Sequence, residues 1–400
     1  MVIYFYRKIK RKKKGIKLKM KKYENKTLGI TLVALVITIV ILLILAGISI
    51  STLTNTGIFQ KAKDAKGASE NAEKEQKQTL NEYEKELNKY TAQKLTNDKV
   101  NKVLSETENT ILKDVNENIF TLPAGFKVVV NDDTGNVKTV DKGIVIEDAT
   151  DATTKGNQFV FVPVGSIKKA DGTTVEINLD RYTFDENGIE KVQNENLVEN
   201  FFSETLSKGN TVAKSISDFK SSVTTHGGYY IGRYEARTTT ARNDEGNALT
   251  QITEKGTDQV YNYVTQKQAA EQAQGMYTSN NFTSDLMNSY AWDTATLFLQ
   301  NCGNNQKYSR HDRGENTSLL TTGTNALTEI KKIDKQCNVY DMAGNLREWT
   351  TETSNFYDNP CVLRGGCYGT VNGCTGGRYY NSTFASYNNY GFRPLLYINT

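Results

Sequence analysis

Asn338-Val-Tyr-Asp-Met-Ala-Gly-Asn-Leu-Arg-Glu-Trp349, Leu363-Arg-Gly-Gly366 and Tyr390-Gly-Phe-Arg-Pro394 are the three strings whose reading decides the fold. Met342-Ala-Gly-Asn345 suits a tight turn. Trp349, one of two tryptophans, is a core anchor worth roughly 2–3 kcal/mol when buried. Arg364-Gly-Gly366 lets two backbones approach closely. Gly391-Phe-Arg-Pro394 begins a closing strand with Phe392 turned inward. Between Gly365 and Gly391 glycine, asparagine and tyrosine crowd together, which is loop chemistry.

Working outward, the 400 residues divide into a delivery part and a folded part. The net charge of +4 is misleading. Residues 1–29 hold twelve Lys/Arg and one acid, Glu24, so the rest carries 37 basic and 44 acidic residues. A nucleic-acid partner is not expected from that balance. The basic tract instead marks the cytoplasmic side of the apolar run 30–50, which contains no charge. As a helix that run covers roughly 31 Å, about one hydrocarbon core. A single-pass membrane anchor over residues 30–54 follows, with the C-terminal part outside the cell.

Residues 55–117 form a Lys/Glu/Gln/Ala-rich stalk and polar connector, read as helical. Ala62, Ala65, Ala68 and Ala72, then Leu80, Tyr83, Leu87 and Tyr90, make a weak amphipathic stripe. The stripe fits a solvated stalk or self-association. Composition turns at Ile119. Phe120–Val130, Gly143–Glu147, Gln158–Val164, Glu176–Phe184 and Tyr229–Ala236 read as strands. Ala213–Val223, Thr265–Gln274 and Ser289–Gln300 read as helices. Residues 118–400 are therefore expected to be an α+β domain whose loops carry function. The five cysteines are too few for a disulfide framework, and one or two bridges in an exported domain have no pairing readable from sequence.

Two resemblances sharpen these expectations. Lys26-Thr-Leu-Gly29 followed by Ile30-Thr-Leu-Val resembles a type IV prepilin leader, which implies cleavage between Gly29 and Ile30 by a prepilin peptidase. It makes Met20 a plausible start and pilus subunits a possible partner. The family's glutamate at the fifth mature position is Ala34 here, which argues against filament entry. Residues 118–400 resemble the formylglycine-generating enzyme (sulfatase-modifying factor) family. The likeness rests on Gln158-Phe-Val-Phe-Val-Pro-Val-Gly165, Gly228-Tyr-Tyr-Ile-Gly-Arg-Tyr-Glu235, Tyr340–Trp349, Val362–Gly366 and Gly391–Arg393. It implies a C-type-lectin-like fold. The copper-binding cysteine pair of those enzymes falls at Thr370 and Thr375, which implies that the oxidase chemistry is lost. It also implies calcium at Asp341 and Glu348, oxygen ligands suited to a hard cation.

The interval Tyr368–Tyr390 resembles the variable region of lectin-fold proteins diversified by a retroelement. Tyr368, Thr370, Asn372, Thr375, Tyr379, Tyr380, Asn381, Ser382, Tyr387, Asn388 and Asn389 have the composition of adaptable recognition loops. The expected function is binding of a protein or glycan ligand at the surface of a bacterial cell. A copper oxidase and a structural minor pilin are the alternatives.

Overall fold

The computed structural model describes residues 38–42, 58–130, 139–149, 153–185, 187–188, 190–192, 198–199, 213–255, 258–310, 334–354, 356, 358–367 and 374–400. Two compact units divide at Lys74 and Glu75. In the first, residues 38–42 are helical and carry exposed Ile39, Val40, Ile41 and Leu42. The Gly29–Ile30 cleavage site and the rest of the apolar run lie outside the described residues. Among the described residues no helix is long and apolar enough to cross a membrane.

Helix α1, Ile58–Thr91, forms where sequence places it. Lys, Glu, Gln and Ala are good helix formers, and Lys66 pairs with Glu70 one turn on. From Glu75 on, α1 is part of the second unit, and its polar side makes contacts within it. Asn81 Nδ2 donates to Ser221 Oγ at 3.0 Å, and Asn88 Nδ2 donates to the carbonyl of Thr225. Leu80, Tyr83, Leu87 and Tyr90 face solvent.

The helical connector expected over residues 97–115 is not observed. Asn97–Lys99 is a single 3₁₀ turn and Thr110–Lys113 is a strand. Leu95, Val100 and Leu112 are buried in the core, at spacings that fit no single helix face. The second compact unit runs from Glu75, inside α1, to Thr400.

The larger sheet has six antiparallel strands. In chain order they are β1 Phe126–Val129, β2 Val145–Asp148, β3 Gln158–Pro163, β4 Gly228–Gly232, β5 Phe282–Leu286 and, last, Pro394–Ile398. The last strand lies between β4 and β5. Gln158-Phe-Val-Phe-Val-Pro163 is apolar at successive positions because both faces are covered: Phe159 to Val162 are all buried. Tyr230 pairs in register with Phe161 on one side and Leu396 on the other. Gly228 is required at this sheet, since a Cβ there would sit 2.3 Å from the carbonyl oxygen of Val162.

Helix α2, Ile216–His226, starts at the N-cap Ser215, whose side chain accepts the Asp218 N–H, and stops at Gly227 with φ 70°. It packs Phe219 edge-on against Tyr229 and Tyr397. Helix α3, Gln266–Gln274, opens with a Thr265/Gln268 capping box. Helix α4, Ser289–Cys302, is buried along most of its length, with Trp292 fully enclosed. The strand expected over Glu176–Phe184 is split into Thr174–Ile177 and Tyr182–Phe184. The intervening backbone turns to α4: Asp180 N–H donates to Thr294 Oγ1, and Tyr182 N–H to Asp293 Oδ2.

The smaller sheet carries the C-terminal motifs. It is built on β6 Arg347–Thr353, β7 Cys361–Arg364 and β8 Arg378–Asn381, in that order. Strand β9, Tyr390–Phe392, runs parallel to β6 with Trp349 opposite Phe392. The Pro394–Ile398 strand of the larger sheet, β10, follows directly.

Candidate functional site

The Met342–Asn345 turn is frame, as expected. Asp341 and Asn345 stand at φ 61° and 60°, and the buried Glu235 carboxylate accepts from Asn345 Nδ2 and Leu346 N–H. Gly365 (φ 77°) passes so close that a Cβ would lie 2.7 Å from the Met342 carbonyl oxygen. Trp349 is fully buried and donates its indole N–H to the Val264 carbonyl at 2.8 Å. Arg393 grips Glu348 with both forks, Nη2 to Oε1 at 2.6 Å and Nε to Oε2 at 3.1 Å. Burial pushes the Glu348 carboxyl up to about 7 against the pull of Arg393. Burial, with Asp341 and Glu348 close by, holds Glu235 well above the usual carboxylate range.

The two side chains expected to share calcium thus do not stand alike. Both Glu348 oxygens are committed to Arg393, and Asp341 is buried beside the turn. Among the described residues no group of three or more His, Cys, Asp or Glu is placed to hold a metal.

A buried charge network lies behind β8. Arg364 bonds Asp293 and Glu352, the latter at 3.2 Å. Arg378 bonds the same two carboxylates at 2.5 and 2.8 Å. Arg181 adds a third guanidinium, 3.3 Å from Glu352. Three cations on two anions leave one net positive charge. Burial and the neighbouring Arg378 lower the Arg364 pKa; burial also pulls on Arg378, but Asp293 and Glu352 outweigh it and raise it. Sequence reading treated Arg364 as a motif residue and did not mark Asp293 or Glu352.

The alternation of β8 then sorts the candidate binding residues. Arg378 and Tyr380 project to one side, Tyr379 and Asn381 to the other. Tyr380 is 37% exposed and meets the exposed Phe356 ring edge-on at 5.0 Å. On the opposite side the Arg347 guanidinium lies 3.8 Å over the Tyr379 ring. The Tyr379 hydroxyl accepts the Cys374 N–H. Asn381 Nδ2 donates to the Tyr390 hydroxyl at 2.8 Å, and the half-exposed Tyr387 packs edge-on against Tyr390. Arg347 and Tyr390 are register partners in β6 and β9, so these contacts form one continuous surface.

The remaining candidates are dispersed. Ser382 N–H donates to Asn381 Oδ1. Asn388 is exposed and its carbonyl accepts from Asn262 Nδ2. Asn389 donates to Cys367 Sγ, and its carbonyl accepts the Arg347 N–H. Thr375 is fully buried, with its carbonyl on the Trp292 indole N–H, so it offers no binding surface in this state. Tyr368, Thr370 and Asn372 lie outside the described residues. Sequence reading missed Arg347, Phe356 and Phe384, the last 72% exposed. Lone aromatics inside polar loops were the available signal for the two phenylalanines. No disulfide joins the five cysteines.

No protein-family model and no curated protein sequence matches the chain. Among solved structures it is similar to variable protein 1 of Treponema denticola, at 13% identity and a TM-score of 0.30, over 60% of this chain and 95% of that one. It is similar to CarF at 16% identity and a TM-score of 0.22, over 36% and 60% of the two chains. It is also similar to the U1 variant of Major Tropism Determinant at 12% identity and a TM-score of 0.19, over 77% and 99%.

Proposed function

We propose that this chain is a ligand-binding protein of adhesin or receptor type, in which a C-type-lectin-like unit offers the Arg347–Tyr379–Asn381–Tyr387 surface to a protein or glycan. The contrast across β8 carries this reading. One side is fixed by buried arginines and carboxylates. The other presents tyrosine rings, amides and the half-buried Arg347 guanidinium stacked on Tyr379. Rigid support beneath adaptable polar and aromatic groups suits recognition. Tyrosine and arginine are also the residue types that dominate binding energy. Position 375 holds a buried threonine where the oxidase would need cysteine, which favours binding over turnover.

The test is capture from an array of glycans and bacterial or host surface proteins, probed with the detergent-solubilised chain. Tyr379→Ala with Tyr387→Ala should abolish capture at unchanged melting temperature, and Tyr380→Ala with Phe356→Ala should not. Retention by the first pair would move the site elsewhere.

The delivery part of the proposal is a single-pass anchor in a bacterial membrane, released from its leader between Gly29 and Ile30 by a prepilin peptidase. A mature N-terminus at Ile30, read by mass spectrometry, is the expected result. Retroelement diversification of residues 365–393 predicts a near-copy of their codons beside a reverse transcriptase gene.

A further inference from the structure

Helix α4 ends at Cys302, and Gly303 caps it with its N–H on the Leu299 carbonyl. The hairpin Lys335–Gln336/Val339–Tyr340 returns against this end. Gln336 Oε1 accepts the Asn304 N–H at 2.8 Å, and a Cβ on Gly303 would lie 2.4 Å from that same oxygen. The hairpin tip is fixed. Cys337 and Asn338 hold φ 43° and 65°, and Asn338 Nδ2 donates to the Lys142 and Gly143 carbonyls at 3.1 and 2.8 Å. Cys337 Sγ sits 3.7 Å from the Asp141 carbonyl oxygen.

Cys302 and Cys337 line one cavity of about 270 Å³, together with Lys142, Asn304 and Gln336. Burial pushes the Cys302 thiol up to about 12, with Asp141 adding to it; burial and then the proximity of Cys302 hold Cys337 well above the usual thiol range. Each sulfur therefore stays a protonated thiol at neutral pH, and exchange there is slow without a catalyst or alkali.

We propose that Cys302 and Cys337 are a disulfide-forming pair that staples the end of α4 to the 335–340 hairpin. The oxidant is a small-molecule disulfide of the glutathione class. One protein thiolate attacks it and expels one small thiolate, giving a mixed disulfide. The second protein thiolate then attacks the protein sulfur and expels the other small thiolate. One protein S–S bond forms, the small S–S bond is lost, and two electrons and two protons pass to the small thiols. The staple would brace the hairpin next to Asp334, which accepts the Ala343 N–H of the Met342–Asn345 turn.

The test incubates the full-length chain with oxidised glutathione and a thiol–disulfide exchange catalyst to equilibrium, and maps peptides without reduction. The expected product is one cross-linked peptide pair holding Cys302 and Cys337, with the thiol count falling by two. Cys302→Ser and Cys337→Ser should each remove that cross-link. Because the wild-type map alone decides, a variant that fails to fold does not blunt the test. Glutathione left as a mixed disulfide on either residue, all five thiols retained, or a bridge drawn instead from Cys361, Cys367 or Cys374 would overturn the pairing.

Discussion

Asp293→Asn probes the support of the candidate site most directly. Asp293 is fully buried, contacts Arg364 and Arg378, and accepts the Tyr182 N–H at 3.0 Å. With it gone, three guanidiniums face Glu352 alone and the enclosed net charge rises from one positive to two. Removing one partner from a buried ion pair costs about 3–5 kcal/mol, chiefly because the surviving charge is left desolvated. In a unit spanning Glu75–Thr400 that lowers the melting temperature by roughly 4–7 °C. Thermal and urea unfolding, followed by near-ultraviolet circular dichroism, measure it. Arg378→Met added to Asp293→Asn should recover part of the loss, because it returns the net charge to one. A loss under about 1 kcal/mol, or a double variant that is merely additive, would refute the charge-balance reasoning. Limited proteolysis of Asp293→Asn should open first around residues 374–381.

Other outcomes are equally specific. His226 is held down to about 4 by burial, against an ordinary value of 6.5; its neutral form therefore contributes stability that is complete above pH 6.5 and is lost as pH falls toward 4. The loss is about 3 kcal/mol at most, and His226→Gln should flatten that limb in urea titrations at stepped pH. Gly365→Ala must place a Cβ 2.7 Å from the Met342 carbonyl oxygen at φ 77°; a destabilisation of about 2–4 kcal/mol is expected, and a neutral result would mean the turn yields. Millimolar calcium should shift the melting temperature by less than about 1 °C, since Glu348 is committed to Arg393; a rise of several degrees would establish an ion at Asp341 and Glu348.

The frame of this unit was legible because its signals are local. A Gly-Asn turn, a glycine pair at a crowded crossing, a buried tryptophan and an unbroken apolar strand each announce themselves within a few residues. The pairing of Asp293 with Arg364 and Arg378 joins positions 71 and 85 residues apart, and nothing near Asp293 in the chain marks it as buried. The stripe Leu80–Tyr90 is a further lesson. Read as fitting a solvated stalk or self-association, it faces solvent, while Asn81 and Asn88 on the polar side of α1 make contacts their residue type does not announce. Tyr379 and Tyr380 were grouped as one binding set, although adjacent strand residues must point apart. That division was available from sequence once β8 was recognised as a strand.

The place of β10 has a consequence for how this chain folds. Among the described residues Pro394–Ile398 is the only sheet neighbour of β5, and it lies between β5 and β4. Until this strand is in place, β1 to β4 pair among themselves, while β5 and the buried face of α2 lack the strand they pack against. Closure of the larger sheet is therefore set by residues 394–398, and a folding intermediate in which they are not yet docked exposes the facing edges of β4 and β5 to pairing with other strands.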